Sequence, residues 1–129
     1  MTSSEIPSVP VEAVPAEFDT AAPAGSAAAA AESVGVRVLL DVREDDEWQL
    51  GHAPGAVHIP MDDVPARLGE LAAGAEIYVV CRQGGRSLQI VRYLTHFGFD
   101  AVNVAGGMVA WQQSGRPLAA TGPHEPKVY

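Results

Sequence analysis

The chain holds one cysteine, Cys81, inside VVCRQGGRSLQIV, residues 79–91. An apolar run ends there, and Arg82, Gln83, Gly84, Gly85 and Arg86 follow in order before a segment of helical pattern. A thiol acts as a nucleophile through its thiolate, and an unperturbed thiol, with a pKa near 8.5, is only a few per cent ionised at neutral pH. Gly84 and Gly85 admit backbone angles closed to other residues. Successive N–H groups can therefore turn inward and form an anion-binding nest continuous with a helix N-terminus. With Arg82 and Arg86 adding positive charge, a depression of about two pH units would make thiolate the majority form. The alternative is a small buried hydrophobe, the common state of a lone cysteine. Such a residue has no use for two glycines and two arginines within five positions, so the spacing favours a reactive thiol.

The rest of the chain must supply a strand to carry Cys81 and a helix to follow it. At 129 residues and 47% hydrophobic, it can bury the core of one domain. One cysteine makes neither an internal disulfide nor a Cys-rich metal cage. A formal charge of -8, with eight basic residues of which seven are arginine, would repel nucleic acid. No apolar run approaches the roughly 20 residues of a membrane helix. The start, MTSSEIPSVP, lacks the basic head and apolar stretch of a secretory signal. The expectation is a soluble cytoplasmic protein with no membrane partner.

Periodicity predicts an extended segment over 9–14 and a first helical turn over 15–20, opened by Pro15. The tract AAPAGSAAAAAES, 21–33, reads as an insertion or mobile connection. VRVLLD, 36–41, is short, branched and apolar, as a doubly buried strand should be. DEWQLG, 46–51, holds one or two helical turns stopped by Gly51, and a three-residue strand is expected at 57–59. A helix from about Val64 to Leu71 precedes EIYVVC, 76–81, the strongest strand. Ser87 to Phe97 then places Ile90, Val91, Leu94 and Phe97 on one helical face before Gly98 ends it, and AVNV, 101–104, makes another strand. Alternating strands and helices imply a single three-layer α/β domain, with a central, mainly parallel sheet and helices on both faces. It is expected over 9–119, with an N-terminal tail at 1–8 and a C-terminal tail at 120–129. Ligands of such sheets sit at the carboxyl ends of strands, where Cys81 falls.

Three ordered stretches, LLDVREDDEWQLGHAPGAVHIPM, VVCRQGGRS and VNVAGGMVAW, resemble the single-domain rhodanese-like sulfurtransferases, and the similarity runs from about Val9 to Leu118. The resemblance implies that Cys81 is the nucleophile, that Gln83, Gly84 and Gly85 mostly offer backbone N–H groups, and that Arg82 and Arg86 supply charge. It implies attack of the Cys81 thiolate on the outer sulfur of a small anionic donor such as thiosulfate. The resulting persulfide is then relieved by cyanide, a thiol or a protein acceptor, and the implied chemistry requires no metal or organic cofactor. The chain departs from the family pattern at Ala53 and His58, in the length of the alanine-rich tract, and at Gly85 beside Gly84, which would loosen the loop.

Other polar residues read as structural. Asp41 and Arg43, at a strand end, are expected to form an ion pair that supports the loop rather than reacts. His52 is expected to hold its turn by hydrogen bonding, His58, His96 and His124 carry less signal, and Trp111 is a core or lid aromatic. EDDE, 44–47, reads as a solvated, acidic helix start. Two competing functions stand beside sulfur transfer. A cysteine phosphatase or arsenate reductase would set five residues between its cysteine and arginine, whereas four lie between Cys81 and Arg86. A carrier or docking module would use the same loop to hand sulfur to a partner, or would not use it at all.

Overall fold

The computed structural model describes residues 6–16, 18 and 36–128. Five strands form one sheet: β1 (Ser8–Pro10), β2 (Arg37–Asp41), β3 (Val57–His58), β4 (Glu76–Val80) and β5 (Asp100–Ala105), in the order β1-β5-β4-β2-β3. Every pairing between them is parallel. The helices are α1 (Asp45–Leu50), α2 (Gly85–His96) and α3 (Gly107–Gln113). This is the expected α/β architecture.

Side-chain alternation along the central strands divides the core into two layers. Leu40, Ile77 and Val79 face one side, where Ile90, Val91 and Leu94 of α2 cover them together with Val64 and Leu71. Leu39, Val80 and Val104 face the other, against Met108 and Trp111 of α3, Val11, Val14 and Val128. The same period of two carries Cys81, one residue beyond β4, to the α2 side.

Several local expectations are corrected. The extended segment over 9–14 gives way after Pro10 to a 3-10 turn, Val11–Ala13, which buries Val11 and leads to the buried Val14. Arg116 takes the carbonyls of Val11, Val14 and Pro15 at 2.6–2.9 Å and lies 4.1 Å over the Trp111 ring. Pro15 and Ala16 stand in no helix; residues 17, 19 and 20, and the tract 21–33, lie outside the described residues. The helix expected over 64–71 is two 3-10 segments, Met61–Asp63 and Pro65–Glu70. Pro65 has no N–H for the carbonyl of Met61, so the N–H of Val64 takes that carbonyl at 3.3 Å and the tighter turn prevails.

Phe97 does not share the buried face of α2. The helix ends at His96, and Phe97 is 54% exposed beside Tyr93, while Phe99 packs on the core after Gly98 turns the chain at φ +90°. The third strand is two residues, not three. Gly51 follows α1 in extended conformation, so a left-handed stop is not its role; a Cβ there would run into the backbone of Lys127. The segment expected as a tail over 120–129 runs back, from Ala119 to Val128, along α1 and α3. Ala119 bridges His52, the N–H of Lys127 bonds the Leu50 carbonyl at 2.9 Å, and Val128 is buried and held by Gln112. Ile6 and Pro7 also belong to the packed unit: Ile6 lies on the core, and the Pro7 carbonyl accepts from the Asn103 N–H at 2.8 Å.

Candidate active site

Cys81 leaves β4 at its carboxyl end and is 1% exposed. The loop that follows is shorter than the sequence suggests, because α2 begins at Gly85. Gly84 is the N-cap residue and adopts φ +129°, a conformation L side chains rarely take. That turn aims the Gly84 N–H at Cys81 Sγ, 2.9 Å away. Gly85 has no positive φ and lies inside the first helical turn, which regularises the loop where greater looseness was expected. The N–H groups of the first turn have no intrahelical partners and give the helix start its affinity for negative charge.

The opposite side of the loop is held by the third sequence signature. Gly106 and Gly107 are both left-handed, at φ +82° and +59°, and bring the start of α3 against the loop backbone. The N–H of Met108 donates to the Cys81 carbonyl at 2.8 Å and that of Val109 to the Arg82 carbonyl at 3.0 Å. A Cβ on Gly107 would lie 2.5 Å from both carbonyl oxygens. These bonds hold both carbonyls against α3.

Arg86 is not simply a free positive charge beside the thiol. Its guanidinium donates twice to the Glu47 carboxylate, at 2.7 and 2.9 Å, tying α2 to α1. The hydrogen bond from Arg86 holds the Glu47 carboxyl below the usual carboxylate range, and the same bond raises Arg86. Cys81 acts on Arg86 electrostatically in the same direction, behind Glu47. Glu47 is therefore only partly solvated, whereas Glu44, Asp45 and Asp46 are exposed as expected of an acidic helix start. Glu47 also accepts from the Glu44 N–H at 2.9 Å, closing a capping box. Arg82 is half-buried and Gln83 exposed.

Asp41 and Arg43 form a buried pair. Arg43 Nη2 lies 2.7 Å from Asp41 Oδ2, Nε bonds both carboxylate oxygens, and Nη2 also reaches the Gly51 carbonyl at 2.7 Å. The pair meets the loop through the sheet, where Asp41 registers with Val80 and the Val42 N–H bonds the Val80 carbonyl at 3.0 Å, and through α1, where Arg43 Nη1 donates to the carbonyl of Glu47, the partner of Arg86, at 3.4 Å. His52 bonds the Trp48 carbonyl through Nδ1 at 2.8 Å, and its ring stacks 3.7 Å from Trp48. His58 stacks on the same indole at 4.7 Å and donates from Nε2 to the Arg43 carbonyl at 2.8 Å. Trp111 is a core residue. Among the described residues no group of three or more His, Cys, Asp or Glu side chains is placed to hold a metal ion, and no helix is long and apolar enough to cross a membrane.

Sequence reasoning missed Ser87 and Asn103. Ser87 Oγ lies 3.3 Å from Cys81 Sγ, and Asn103, from β5, lies 2.5 Å from Ser87 Oγ through its Oδ1. The signal was an asparagine inside the apolar run AVNV, a residue type depleted in strands.

Fold and site together define an α/β protein in which a cysteine at the end of a parallel strand is seated against the amide that opens the next helix. The chain belongs to the rhodanese-like domain family, whose profile matches residues 24–114. It is 46% identical over 79 residues to a Bacillus subtilis protein named "Putative sulfurtransferase YtwF", covering 61% of this chain and 77% of the relative. It is 45% identical over 74 residues to the B. subtilis "Putative sulfur carrier protein YrkF", covering 57% of this chain but 40% of that relative. A crystal structure of a rhodanese-like domain protein from Staphylococcus aureus superposes with a TM-score of 0.61 at 42% identity, over 66% of this chain and 81% of that one.

Proposed function

We propose that the protein is a sulfurtransferase that moves a sulfane sulfur from a small anionic donor, thiosulfate or a persulfide, through Cys81 to a thiol, cyanide or protein acceptor. The observation that carries this reading is the seat of Sγ, 2.9 Å from the Gly84 N–H at the start of α2. The thiolate attacks the outer sulfur of thiosulfate. A bond forms between Sγ and that sulfur as the original sulfur–sulfur bond breaks, and its electron pair leaves with sulfite. The persulfide left on Cys81 keeps one negative charge. An acceptor nucleophile then attacks the terminal sulfur, and the electron pair returns to Sγ. Donor and persulfide are both anionic, so N–H dipoles already pointing at the site stabilise them without reorganising. Gln83, Gly84 and Gly85 supply those dipoles, Arg82 and Arg86 the nearby charge, and Asp41 with Arg43 holds the strand ends in register. No metal or organic cofactor enters these steps.

A carrier that delivers the persulfide to a partner protein is the second reading, supported by the similarity to a relative of that name. It uses the same residues and differs in what accepts the sulfur. Intact mass spectrometry before and after thiosulfate, with Cys81→Ser as control, tests the shared step. Gain of one sulfur atom, absent from the variant and removed by cyanide, is expected. No gain from thiosulfate or from a persulfide donor, or a Cys81→Ser protein that still transfers sulfur, overturns the proposal.

A further inference from the structure

Ser87 is fully buried, and its hydroxyl has one hydrogen for three neighbours. Its oxygen lies 3.3 Å from Cys81 Sγ, 3.2 Å from the Gly84 carbonyl and 2.5 Å from Asn103 Oδ1. Carbonyl oxygens accept and never donate, so the hydrogen goes to one of them or to sulfur. The shortest contact assigns it to Asn103. The orientation of Asn103 is set from its far side, where Nδ2 donates to Ser8 Oγ at 3.2 Å and the hydroxyl of Ser8 in turn faces the Ile6 carbonyl. Asn103 is itself 4% exposed, and its backbone N–H is held by Pro7. The pairing of β1 with β5 thus turns an amide oxygen toward Ser87.

We infer that Asn103 is a positioning residue that governs the protonation of Cys81 through Ser87. By taking the Ser87 hydrogen, Asn103 leaves a lone pair of Oγ facing Sγ. A neutral thiol satisfies that lone pair by donating its S–H, and a thiolate does not. Ionisation of Cys81, in which the S–H proton passes to a solvent base and the electron pair stays on sulfur, gains a second donor besides Gly84 only when Ser87 turns its hydrogen from Asn103 to Sγ. The thiolate, the Gly84 carbonyl and Asn103, the nearest of the three, compete for one hydrogen. The resting site is thereby biased to the less reactive thiol, and the bias is released when Ser87 rotates. Of the charged groups on the neighbouring elements, Arg86 of α2 interacts electrostatically with Cys81 and is paired with Glu47 of α1, and Arg82 follows Cys81 in the chain; Ser87 and Asn103 are neutral. The functional meaning of this bias rests on the reading of Cys81 as the nucleophile.

The test is the pH profile of Cys81 thiolate, followed by ultraviolet absorbance and by the rate of alkylation with iodoacetamide. The chain has a single cysteine, so the alkylation rate reports one thiol, and the absorbance is followed below the ionisation of the three tyrosines. Asn103→Leu removes the nearer of the two competing oxygens at similar volume, leaving the Gly84 carbonyl, and should move the profile about one unit to lower pH, giving roughly tenfold more thiolate below the midpoint. Adding Ser87→Ala should abolish the shift, because the donor is then gone. Ser8→Ala, at the exposed end of the chain of bonds, should move the profile the same way by less, and it decides the matter if Asn103→Leu does not fold. An unmoved profile in the folded variant, a move to higher pH, or a shift that persists without Ser87 overturns the inference. The titration uses no sulfur donor. A failure of sulfur uptake alone would therefore count against the proposed transfer and leave this result standing, while a normal uptake with an unmoved profile would do the reverse.

Discussion

Replacing Gly107 by alanine tests how α3 holds the loop that carries Cys81. Two costs are expected, and the structure separates them. At φ +59° an alanine bears a backbone penalty of about 1–2 kcal/mol. Its Cβ would also lie 2.5 Å from the carbonyl oxygens of Cys81 and Arg82, where ordinary contact begins at 3.4 Å. To relieve that contact α3 must back away from the loop, which breaks the bonds from Met108 and Val109 to those same oxygens. Two neutral backbone hydrogen bonds are worth about 0.5–1.5 kcal/mol each, so about 2 kcal/mol is expected beyond the backbone penalty. Gly115 supplies the control: its φ is +80°, and a Cβ there meets nothing within 4 Å, so Gly115→Ala bears the backbone penalty alone. Urea unfolding of the two variants should differ by about 2 kcal/mol, and Gly107→Ala should show slower persulfide formation from thiosulfate while Gly115→Ala keeps the parent rate. Equal stabilities together with equal sulfur uptake would refute the idea that α3 braces the loop.

The Glu47–Arg86 pair is partly exposed, and its direct contribution is about 1 kcal/mol or less. Because Glu47 is held below its ordinary value in the folded protein, its contribution is present above the unfolded value and disappears as pH falls through the folded one. The stability gap between the parent and Glu47→Gln, followed by urea titration, should therefore be full at neutral pH and close below about pH 4. In a double-mutant cycle read by persulfide formation, Arg86→Ala should be partly rescued by adding Glu47→Ala, because the lone carboxylate near an anionic site is removed; fully additive effects would deny the coupling. Arg43→Ala leaves the Asp41 carboxylate buried without its partner and should cost about 3–5 kcal/mol in urea unfolding, far more than a surface arginine.

The elements nearest Cys81 were legible because their information is local. Branched apolar runs announce β2, β4 and β5, the spacing of Ile90, Val91 and Leu94 announces α2, and two glycines after a strand-end cysteine announce a turn that only glycine makes easily. Errors fell where neighbours in space outvoted the pattern. Pro65 removed a donor and tightened a helix into 3-10 turns; α2 ended one residue before Phe97, so Phe99 took the buried place; and Gly51 owes its identity to the approach of Lys127, not to a helix stop.

The sequence by itself determined that one thiol would stand at the carboxyl end of a parallel strand with a glycine turn and a helix start behind it, since period, turn chemistry and chain order are properties of adjacent residues. Tertiary structure alone decided what surrounds that thiol. Glu47 claims Arg86 across 39 positions, Asn103 reaches Ser87 across 16, and Ser8 reaches Asn103 across 95. Strand order and helix packing set those encounters, and they depend on burying two faces of one sheet at once, a condition that no local stretch of the chain carries.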